Sequence, residues 1–252
     1  MIIDADVHIS PFKGGLNIQT EELIRRMDYS GVDKALTWLQ PPYFRETDPG
    51  NQLVYEAVQT YPQRILGFGW VDPHHGFDKG KETIKRCVEE YGFYGIKFNG
   101  AQNSFYIDSE NVALPLIEEV AKTGKMLAFH IGTDGFEETH PFRLAKIARR
   151  FPETKILLVH IGGVAFHDLS DAAIEVALEC PNITVIGSGV RAVNILKSIK
   201  KLGADRVCFG SDTPFAMMHV ELAMYDALLR DEVTPEEKAL IMSGNISRLF
   251  DL

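Results

Sequence analysis

The amino-acid sequence predicts an α/β fold, a TIM-type (β/α)8 barrel, on the basis of two patterns. Eight short apolar segments rich in β-forming residues recur at intervals of 23 to 32 residues along the 252-residue chain. The stretches between them carry apolar residues three and four apart, as amphipathic helices do. Eight strand-and-helix units joined by right-handed crossovers give parallel strands, and eight strands close into a barrel with a filled interior. The segments begin near Ile2, Lys34, Ile65, Gly95, Met126, Ile156, Ile183 and Arg206.

The individual elements have recognisable patterns and ends. Residues 156–159 are apolar without alternation, which is typical of a strand covered on both faces. The apolar stripe within residues 23–27 predicts a helix that ends at Gly31, and the stripe within residues 116–120 predicts one that ends at Gly124. Both kinds of element fit the alternation of strands and helices that the barrel requires.

Near the end of the chain, Thr234 is the predicted N-cap of a helix, Pro235 its first residue and Glu237 the partner in a capping box. Gly244 is its predicted stop. An open doubly wound sheet is the alternative fold, but it would place a glycine-rich phosphate loop after the first strand, and none is found there. No linker or low-complexity segment interrupts residues 1–252, so we expect a single domain.

Composition and charge limit the possible partners. The net charge is −9, and no cluster of Lys and Arg is dense enough to follow a phosphate backbone, so we expect no nucleic acid partner. Apolar stretches are too short to cross a membrane, and the first residues do not have the pattern of a signal peptide. Cys87, Cys180 and Cys208 are scattered and odd in number, which favours a reduced, cytoplasmic protein.

Polar side chains lie at the C-terminal ends of five of the eight apolar segments. In barrels of this type, that end of the strands and the loops beyond it carry the catalytic groups. Five such positions at one end of the predicted barrel are hard to explain as separate packing events. In chain order, they contribute Asp6 with His8, Lys97, His130, His160 and Asp212.

Four of these residues predict a metal site. Asp6 and His8 are two residues apart, so on a strand both point to the same side. His130 and Asp212 approach from other strands around the same mouth. Two imidazoles and two carboxylates form a ligand set for Zn²⁺, Mn²⁺ or Fe²⁺ and offset the charge of a divalent ion. We predict one divalent metal ion bound by Asp6, His8, His130 and Asp212.

The same residues have structural interpretations. A histidine at a strand end is more often hydrogen-bonded in the core than a ligand, and Asp212, two residues before a proline, is also placed to begin a turn. Arg191 follows the seventh segment and either binds an anionic group of the substrate or forms a surface ion pair. His140 and His167 lie in predicted loops, where we expect a contribution to substrate binding at most.

With these residues in view, the chain resembles the amidohydrolase superfamily. It is most similar to the branch that includes aminocarboxymuconate semialdehyde decarboxylase and related metal-dependent hydrolases. The similarity lies in the order and spacing of short motifs over almost the full length. These motifs are Ile3-Asp4-Ala5-Asp6-Val7-His8, Gly95-Ile96-Lys97-Phe98-Asn99, Phe129-His130-Ile131-Gly132, His160-Ile161-Gly162-Gly163, Phe209-Gly210-Ser211-Asp212-Thr213-Pro214 and Gly244-Asn245-Ile246-Ser247-Arg248-Leu249-Phe250.

The resemblance implies a role for each site residue. Asp6, His8 and His130 would bind the metal, and Asp212 would be a ligand or a proton-transfer partner. His160 would lie beside the metal as a catalytic acid or base. The superfamily usually has His-x-His on the first strand, and the carboxylate of Asp6 in its place shifts the preference from Zn²⁺ toward Mn²⁺. Zn²⁺ is the expected ion and Mn²⁺ the alternative.

These roles lead us to expect a metal-dependent hydrolase that directs a metal-activated water at a small amide or lactone. His160 and Asp212 would be catalytic, and Lys97 and Arg191 would hold the substrate, with a bridging carbamate on Lys97 as the alternative. The alternative activity is non-oxidative decarboxylation of a small unsaturated or aromatic acid at the same site. A more distant alternative is a barrel without catalysis that serves as a binding module. The expected partners are a small-molecule substrate and a second copy in a homodimer.

Overall fold

The computed structural model describes residues 1–41, 46–163 and 168–252. Parallel strands in chain order alternate with helices, and each strand pairs with the next along the sequence. The third strand consists of two segments separated by Phe68. The strands are β1 Ile3–Ile9, β2 Lys34–Leu39, β3 Ile65–Gly67 with Gly69–Trp70, β4 Gly95–Phe98, β5 Met126–His130, β6 Ile156–Val159, β7 Ile183–Ile186 and β8 Val207–Cys208.

Hydrogen bonds between the last and the first strand region close the sheet into a barrel. The amide of Ala5 donates to the carbonyl of Phe209 at 3.0 Å, and the amide of His8 donates to the carbonyl of Thr213 at 2.8 Å. The amide of Asp212 donates in turn to the carbonyl of Asp6 at 2.9 Å. The predicted (β/α)8 barrel is therefore confirmed.

The helices pack around this barrel. Two π-turns extend the helical segments: one continues α3 through Glu90, and the other, over residues 240–244, joins α10 to α11. Within the described residues, none of these helices combines the length and apolar character needed to cross a membrane. They are α1 Thr20–Ser30, α2 Asp48–Thr60, α3 Phe77–Lys85, α4 Gly100–Asn103, α5 Leu114–Lys122, α6 Pro141–Arg150, α7 Ser170–Glu179, α8 Ala192–Leu202, α9 Met218–Leu229, α10 Pro235–Ala239 and α11 Asn245–Phe250.

The helix ends largely follow the sequence. Gly31 ends α1 in the left-handed conformation, and Gly124 follows α5 with φ of +71°. The capping box of Thr234 and Glu237 is present at the start of α10. The predicted stop at Gly244 is wrong, because its backbone is helical, with φ of −61°, and the chain continues into α11.

Strand side chains alternate between the barrel interior and the layer beneath the helices. Ile3 and Ala5 belong to the interior cluster, whereas Val7 and Ile9 pack in the outer one. A shift in the pairing of β1 with β2 between Asp4 and Val7 produces this change of face. Because of this irregularity, Asp6 and His8 both point to the interior, at the C-terminal end of the barrel.

The N-terminal end of the barrel is closed by α11. Ile246 and Phe250 join the interior cluster, and the ring of Phe250 stacks on that of Tyr94 with centroids 4.5 Å apart. Apolar packing thus fills one end of the barrel, while polar side chains occupy the other.

Candidate metal centre

Side chains from three strand ends meet at the C-terminal mouth. Asp6 on β1, His160 after β6 and Asp212 after β8 each offer a ligand atom, and these atoms lie within 4.8 Å of one another. Nε2 of His8 lies 3.3 Å from Oδ1 of Asp6 and 3.5 Å from Oδ1 of Asp212. The structure therefore brings together three of the four predicted ligands and adds His160 to them.

His8 is fixed by neighbours on β2. Its Nδ1 donates to the carbonyl of Leu39 at 2.9 Å, so the second ring nitrogen carries a lone pair in the neutral side chain. The indole N–H of Trp38 donates to that Nε2 at 3.1 Å. This pattern of one ring nitrogen held by a carbonyl and the other turned to the site is typical of metal-binding histidines.

Asp6 is fully buried beside a buried lysine. Nζ of Lys97 lies 3.7 Å from Oδ1 of Asp6 and 3.6 Å from the centre of a Trp38 ring. Burial lowers the pKa of Lys97 to about 8. Burial also opposes the charge of Asp6, but the positive charge of Lys97 holds the pKa of that carboxyl well below its usual range. A carboxylate is therefore the form of Asp6 at neutral pH.

His160 is neutral and oriented by the loop after β7. Its Nδ1 donates to the carbonyl of Ser188 at 3.0 Å, which leaves Nε2 as an acceptor. Burial lowers the pKa of His160, and the nearby His130 lowers it further. A neutral imidazole at this place is able to bind an ion or to accept a proton.

His130 is turned to the rim of the mouth. Its Nε2 donates to Oδ1 of Asp134 at 2.8 Å, and its ring meets that of His160 edge-on, with centroids 4.6 Å apart. The side chain of Asp134 is 63% exposed, so water has access to this hydrogen bond. The ligand role of His130 stays a prediction, because its Nε2 is held by Asp134 in this arrangement.

The loops that carry the site have an unusual backbone. His160, Ile161 and Asp212 have φ of 77°, 46° and 59°, values that side chains other than glycine rarely adopt. Among the described residues, these are three of the five non-glycine residues with positive φ. Such strain concentrates at functional sites. Asp212 also begins a turn, because its carbonyl accepts from the amide of Phe215 at 2.8 Å.

Asp4 has a structural position next to the site. Its Oδ1 accepts hydrogen bonds from the amides of Ser211 at 2.9 Å and Asp6 at 3.2 Å. Burial raises the pKa of Asp4 to about 7. This side chain therefore ties β1 to the loop after β8.

A small cavity of about 180 Å³ opens above these residues. Among the described residues, neither Lys97 nor Arg191 lines it. Arg191 pairs instead with Asp168, at 3.5 Å, and its side chain is 54% exposed. His167 lies outside the described residues. The lining consists of His130, Gly132, Thr133, Asp134, His160, Gly163, Gly189 and Asp212.

The residues present fit a divalent cation. Oδ1 of Asp6 and Nζ of Lys97 are buried and have no hydrogen-bond partner within the described part of the chain. A buried carboxylate oxygen without a partner is costly unless an ion binds it. Two carboxylates and neighbouring imidazoles are the donors that Zn²⁺ and Mn²⁺ take in proteins.

Sequence reasoning missed three residues of this site. Asp134 lies four residues after His130, and Trp38 pairs with His8 across β1 and β2. Ser188 sits in a Gly-Ser-Gly segment just beyond β7, at the same end as the other candidates. The position of Ser188 after a strand was a usable signal, whereas the contact of Trp38 depends on strand register.

Sequence comparison identifies the family. The sequence model of the Amidohydrolase family, Amidohydro_2, matches residues 3–252, nearly the whole chain. The chain belongs to the Amidohydrolase family. The predicted resemblance to the amidohydrolase superfamily is thereby confirmed.

Relatives of this amidohydrolase extend over almost its full length. Gamma-resorcylate decarboxylase of Polaromonas sp. (strain JS666 / ATCC BAA-500) is 23% identical over 298 aligned positions, covering 94% of this chain and 88% of that protein. The structure of 2,6-dihydroxybenzoate decarboxylase complexed with 2,6-dihydroxybenzoate has a TM-score of 0.79 and 20% identity, covering 100% of this chain and 99% of the other.

A further solved structure contains a metal ion. It is 5-carboxyvanillate decarboxylase from Novosphingobium aromaticivorans DSM 12444, a D314N mutant in that protein's own numbering, with bound manganese and 3-methoxy-4-hydroxy-5-nitrobenzoic acid. Its TM-score is 0.79 at 20% identity, and the match covers 100% of this chain and 97% of that one. At this identity the structural likeness establishes the shared fold.

These comparisons overturn the expected activity of this amidohydrolase. The prediction of a hydrolase acting on an amide or lactone is wrong, because the relatives found by sequence and several of the structural neighbours are decarboxylases. The ligands and the acid group that were assigned to hydrolysis also serve decarboxylation, so the sequence alone did not separate the two reactions. The alternative reading is the one that the comparisons support.

Proposed function

We propose that this amidohydrolase is a metal-dependent, non-oxidative decarboxylase of a small aromatic acid with a hydroxyl group next to the carboxylate. The observation that carries the proposal is the cluster of Asp6, His160 and Asp212, of which His160 and Asp212 line a small cavity and Asp6 is buried beside them. Decarboxylases of hydroxylated benzoic acids among the relatives support this substrate class.

The proposed metal is Mn²⁺, held by Asp6, His8 and Asp212 with one histidine from the mouth. When bound, a divalent ion supplies positive charge that holds the substrate carboxylate and the neighbouring hydroxyl oxygen. A carboxylate-rich donor set favours Mn²⁺ over Zn²⁺, and a manganese ion in the carboxyvanillate enzyme supports the choice. The assignment of His130 as the fourth ligand and of His160 as its catalytic neighbour stays a proposal.

Asp212 is the proposed proton donor. Its side chain is 19% exposed and lines the cavity, and its Oδ1 lies 3.5 Å from Nε2 of His8, so it is next to both the buried His8 and a substrate in the cavity. Protonated Asp212 transfers its proton to the ring carbon that carries the carboxylate. The carbon–carbon bond then breaks, its electron pair returns to the ring, and CO₂ leaves. Asp212 regains a proton from water, so one proton is consumed for each CO₂ released.

His160 orients the substrate in this scheme. Its Nδ1–H is held by the carbonyl of Ser188, so the acceptor Nε2 is available to a substrate hydroxyl. Asp134 at the rim is placed to accept a further hydroxyl proton, because its side chain is exposed within the cavity lining. Both contacts favour a hydroxylated ring over an unsubstituted one.

The test is CO₂ release by the manganese-loaded protein from a panel of benzoic acids. We expect turnover of acids with a hydroxyl next to the carboxylate and none of benzoate itself. Asp212→Asn should reduce turnover by about 100-fold or more, the usual contribution of a positioned acid. Asp231→Asn makes the same change at an exposed position and should leave turnover unchanged. Absence of CO₂ from every acid, with the metal site filled, would contradict the proposal.

A further inference from the structure

Ser188 connects two residues of the candidate metal centre. Its Oγ donates to Oδ2 of Asp6 at 2.5 Å, because a carboxylate has no proton to give. The same Oγ lies 3.2 Å from Nδ1 of His160, and the carbonyl of Ser188 accepts from that nitrogen at 3.0 Å. Ser188 is fully buried, so water does not compete for these bonds.

The hydroxyl of Ser188 determines which oxygen of Asp6 remains free for an ion, and the carbonyl of Ser188 determines the tautomer of His160. Because Oδ2 of Asp6 accepts the hydroxyl proton, the other oxygen, Oδ1, is the one turned to the site, and that atom has no hydrogen-bond partner in the described residues. Because Nδ1 of His160 donates to Ser188, the lone pair of His160 is on Nε2. One serine therefore sets the orientation of a carboxylate and the tautomer of an imidazole.

The backbone around Ser188 is itself held in place. Ser188 lies two residues beyond the end of β7, and the carbonyl of Gly187 accepts from the hydroxyl of Tyr225 on α9 at 2.8 Å. Gly189 has φ of 55°, and a Cβ there would lie 3.2 Å from Nδ1 of His160. The loop therefore has little freedom to move away from the site.

We propose that Ser188 is a positioning residue of the metal centre, which orients Asp6 for the ion and fixes the tautomer of His160. The inference rests on the proposed function, because that function supplies the ion that Asp6 would bind. Groups that orient ligand side chains typically change metal affinity by about 10- to 100-fold when removed.

The experiment measures Mn²⁺ affinity of the metal-stripped protein from the electron paramagnetic resonance signal of free Mn²⁺. Ser188→Ala removes one oxygen and adds no bulk, and we expect it to weaken Mn²⁺ binding by about 10- to 100-fold. Ser198→Ala is the matched control, because Ser198 is also fully buried and its Oγ donates to the carbonyl of Asn194 on α8. The control should bind Mn²⁺ as the wild type does.

Thermal unfolding of both variants separates positioning from a general loss of structure. A purely structural role would lower the melting temperature of Ser188→Ala and leave the Mn²⁺ affinity of the folded protein unchanged. If wild type and Ser188→Ala bind Mn²⁺ with equal affinity, the inference is wrong and the proposed function is unaffected. The same holds if Ser198→Ala loses as much Mn²⁺ affinity as Ser188→Ala. A wild type without a Mn²⁺ site overturns the proposed function, and the inference with it.

Discussion

Among the charged neighbours of Asp6, Lys97 does most to lower the pKa of that carboxyl. Its ammonium is buried between Asp6 and the Trp38 ring, away from the cavity lining. The sequence predicts a substrate contact for Lys97, which stays a prediction; its side chain does not line the cavity described above. Its positive charge balances Asp6 when no cation is bound.

We expect Lys97→Met to destabilise the metal-free protein by about 3 kcal/mol, because it leaves the buried carboxylate of Asp6 without a counter-charge. Added Mn²⁺ should largely remove this difference, since the ion would compensate the same carboxylate. Urea unfolding with and without Mn²⁺ measures both values. Lys81→Met breaks an exposed pair with Glu119 and should cost less than about 1 kcal/mol, with or without metal. A metal-independent loss in Lys97→Met would contradict the prediction.

Two neighbouring histidines allow the ligand and the catalytic role to be separated. We expect His130→Ala to lose most of its bound Mn²⁺, because a ligand is removed. His160→Ala should retain the ion and lose turnover by about 100-fold or more, because its contact is with the substrate. Metal content of the purified variants, measured beside CO₂ release, distinguishes the two. The reverse result would exchange their assignments.

At the scale of elements, the sequence predicted where the strands start. Observed first residues of β2, β3, β4, β5, β6 and β7 coincide with the predicted ones, since β-forming apolar runs mark strands covered on both faces. The break of β3 at Phe68 and the helical backbone at Gly244 were not predicted. Both depend on tertiary packing, which overrides local propensity.

The site was predicted to the extent that residue spacing determines it. Asp6, His8 and Asp212 do meet, although Asp6 and His8 face the interior only because of the irregularity between Asp4 and Val7. If side chains alternated strictly along β1, with Ile3 facing the interior, Asp6 and His8 would face outward. Partners such as Trp38 depend on the register between strands, which single-sequence patterns do not encode.

Gly31 and Gly189 both have left-handed backbones, but only Gly189 lies beside the candidate metal centre. A Cβ on Gly31, after α1, meets nothing within 4 Å, whereas one on Gly189 meets Nδ1 of His160. We expect each alanine substitution to cost about 1 to 2 kcal/mol of unfolding free energy, from the backbone alone. Gly189→Ala should in addition weaken Mn²⁺ binding, and Gly31→Ala should not. Urea unfolding and Mn²⁺ titration provide the two measurements, and equal Mn²⁺ affinities would refute the difference.

For the whole molecule, stability and chemistry lie at opposite ends of the barrel. Phe250 on α11 fills the N-terminal end with Ile246, far along the strands from the polar mouth. This arrangement is general for such barrels, in which the loops after the strands are free to vary while the opposite end maintains the fold.

We expect Phe250→Ala to lower the free energy of unfolding by about 3 to 5 kcal/mol, as for other buried aromatic truncations. Its Mn²⁺ affinity, measured below the unfolding transition, should match that of the wild type. Leu252→Ala changes a half-exposed neighbour at the same terminus and should have little effect on either quantity. A large loss of Mn²⁺ affinity in folded Phe250→Ala would contradict the separation.

The indole of Trp38 gives the protein a built-in optical indicator. Its N–H donates a hydrogen bond to Nε2 of His8, the atom that would bind a cation. Binding of a cation by Nε2 would therefore break this hydrogen bond. The sequence has two tryptophans, and the other, Trp70, also lies beside the His8 ring. All tryptophan emission therefore originates within a few ångströms of the centre, and filling it should be visible as a shift in ultraviolet fluorescence without any added dye.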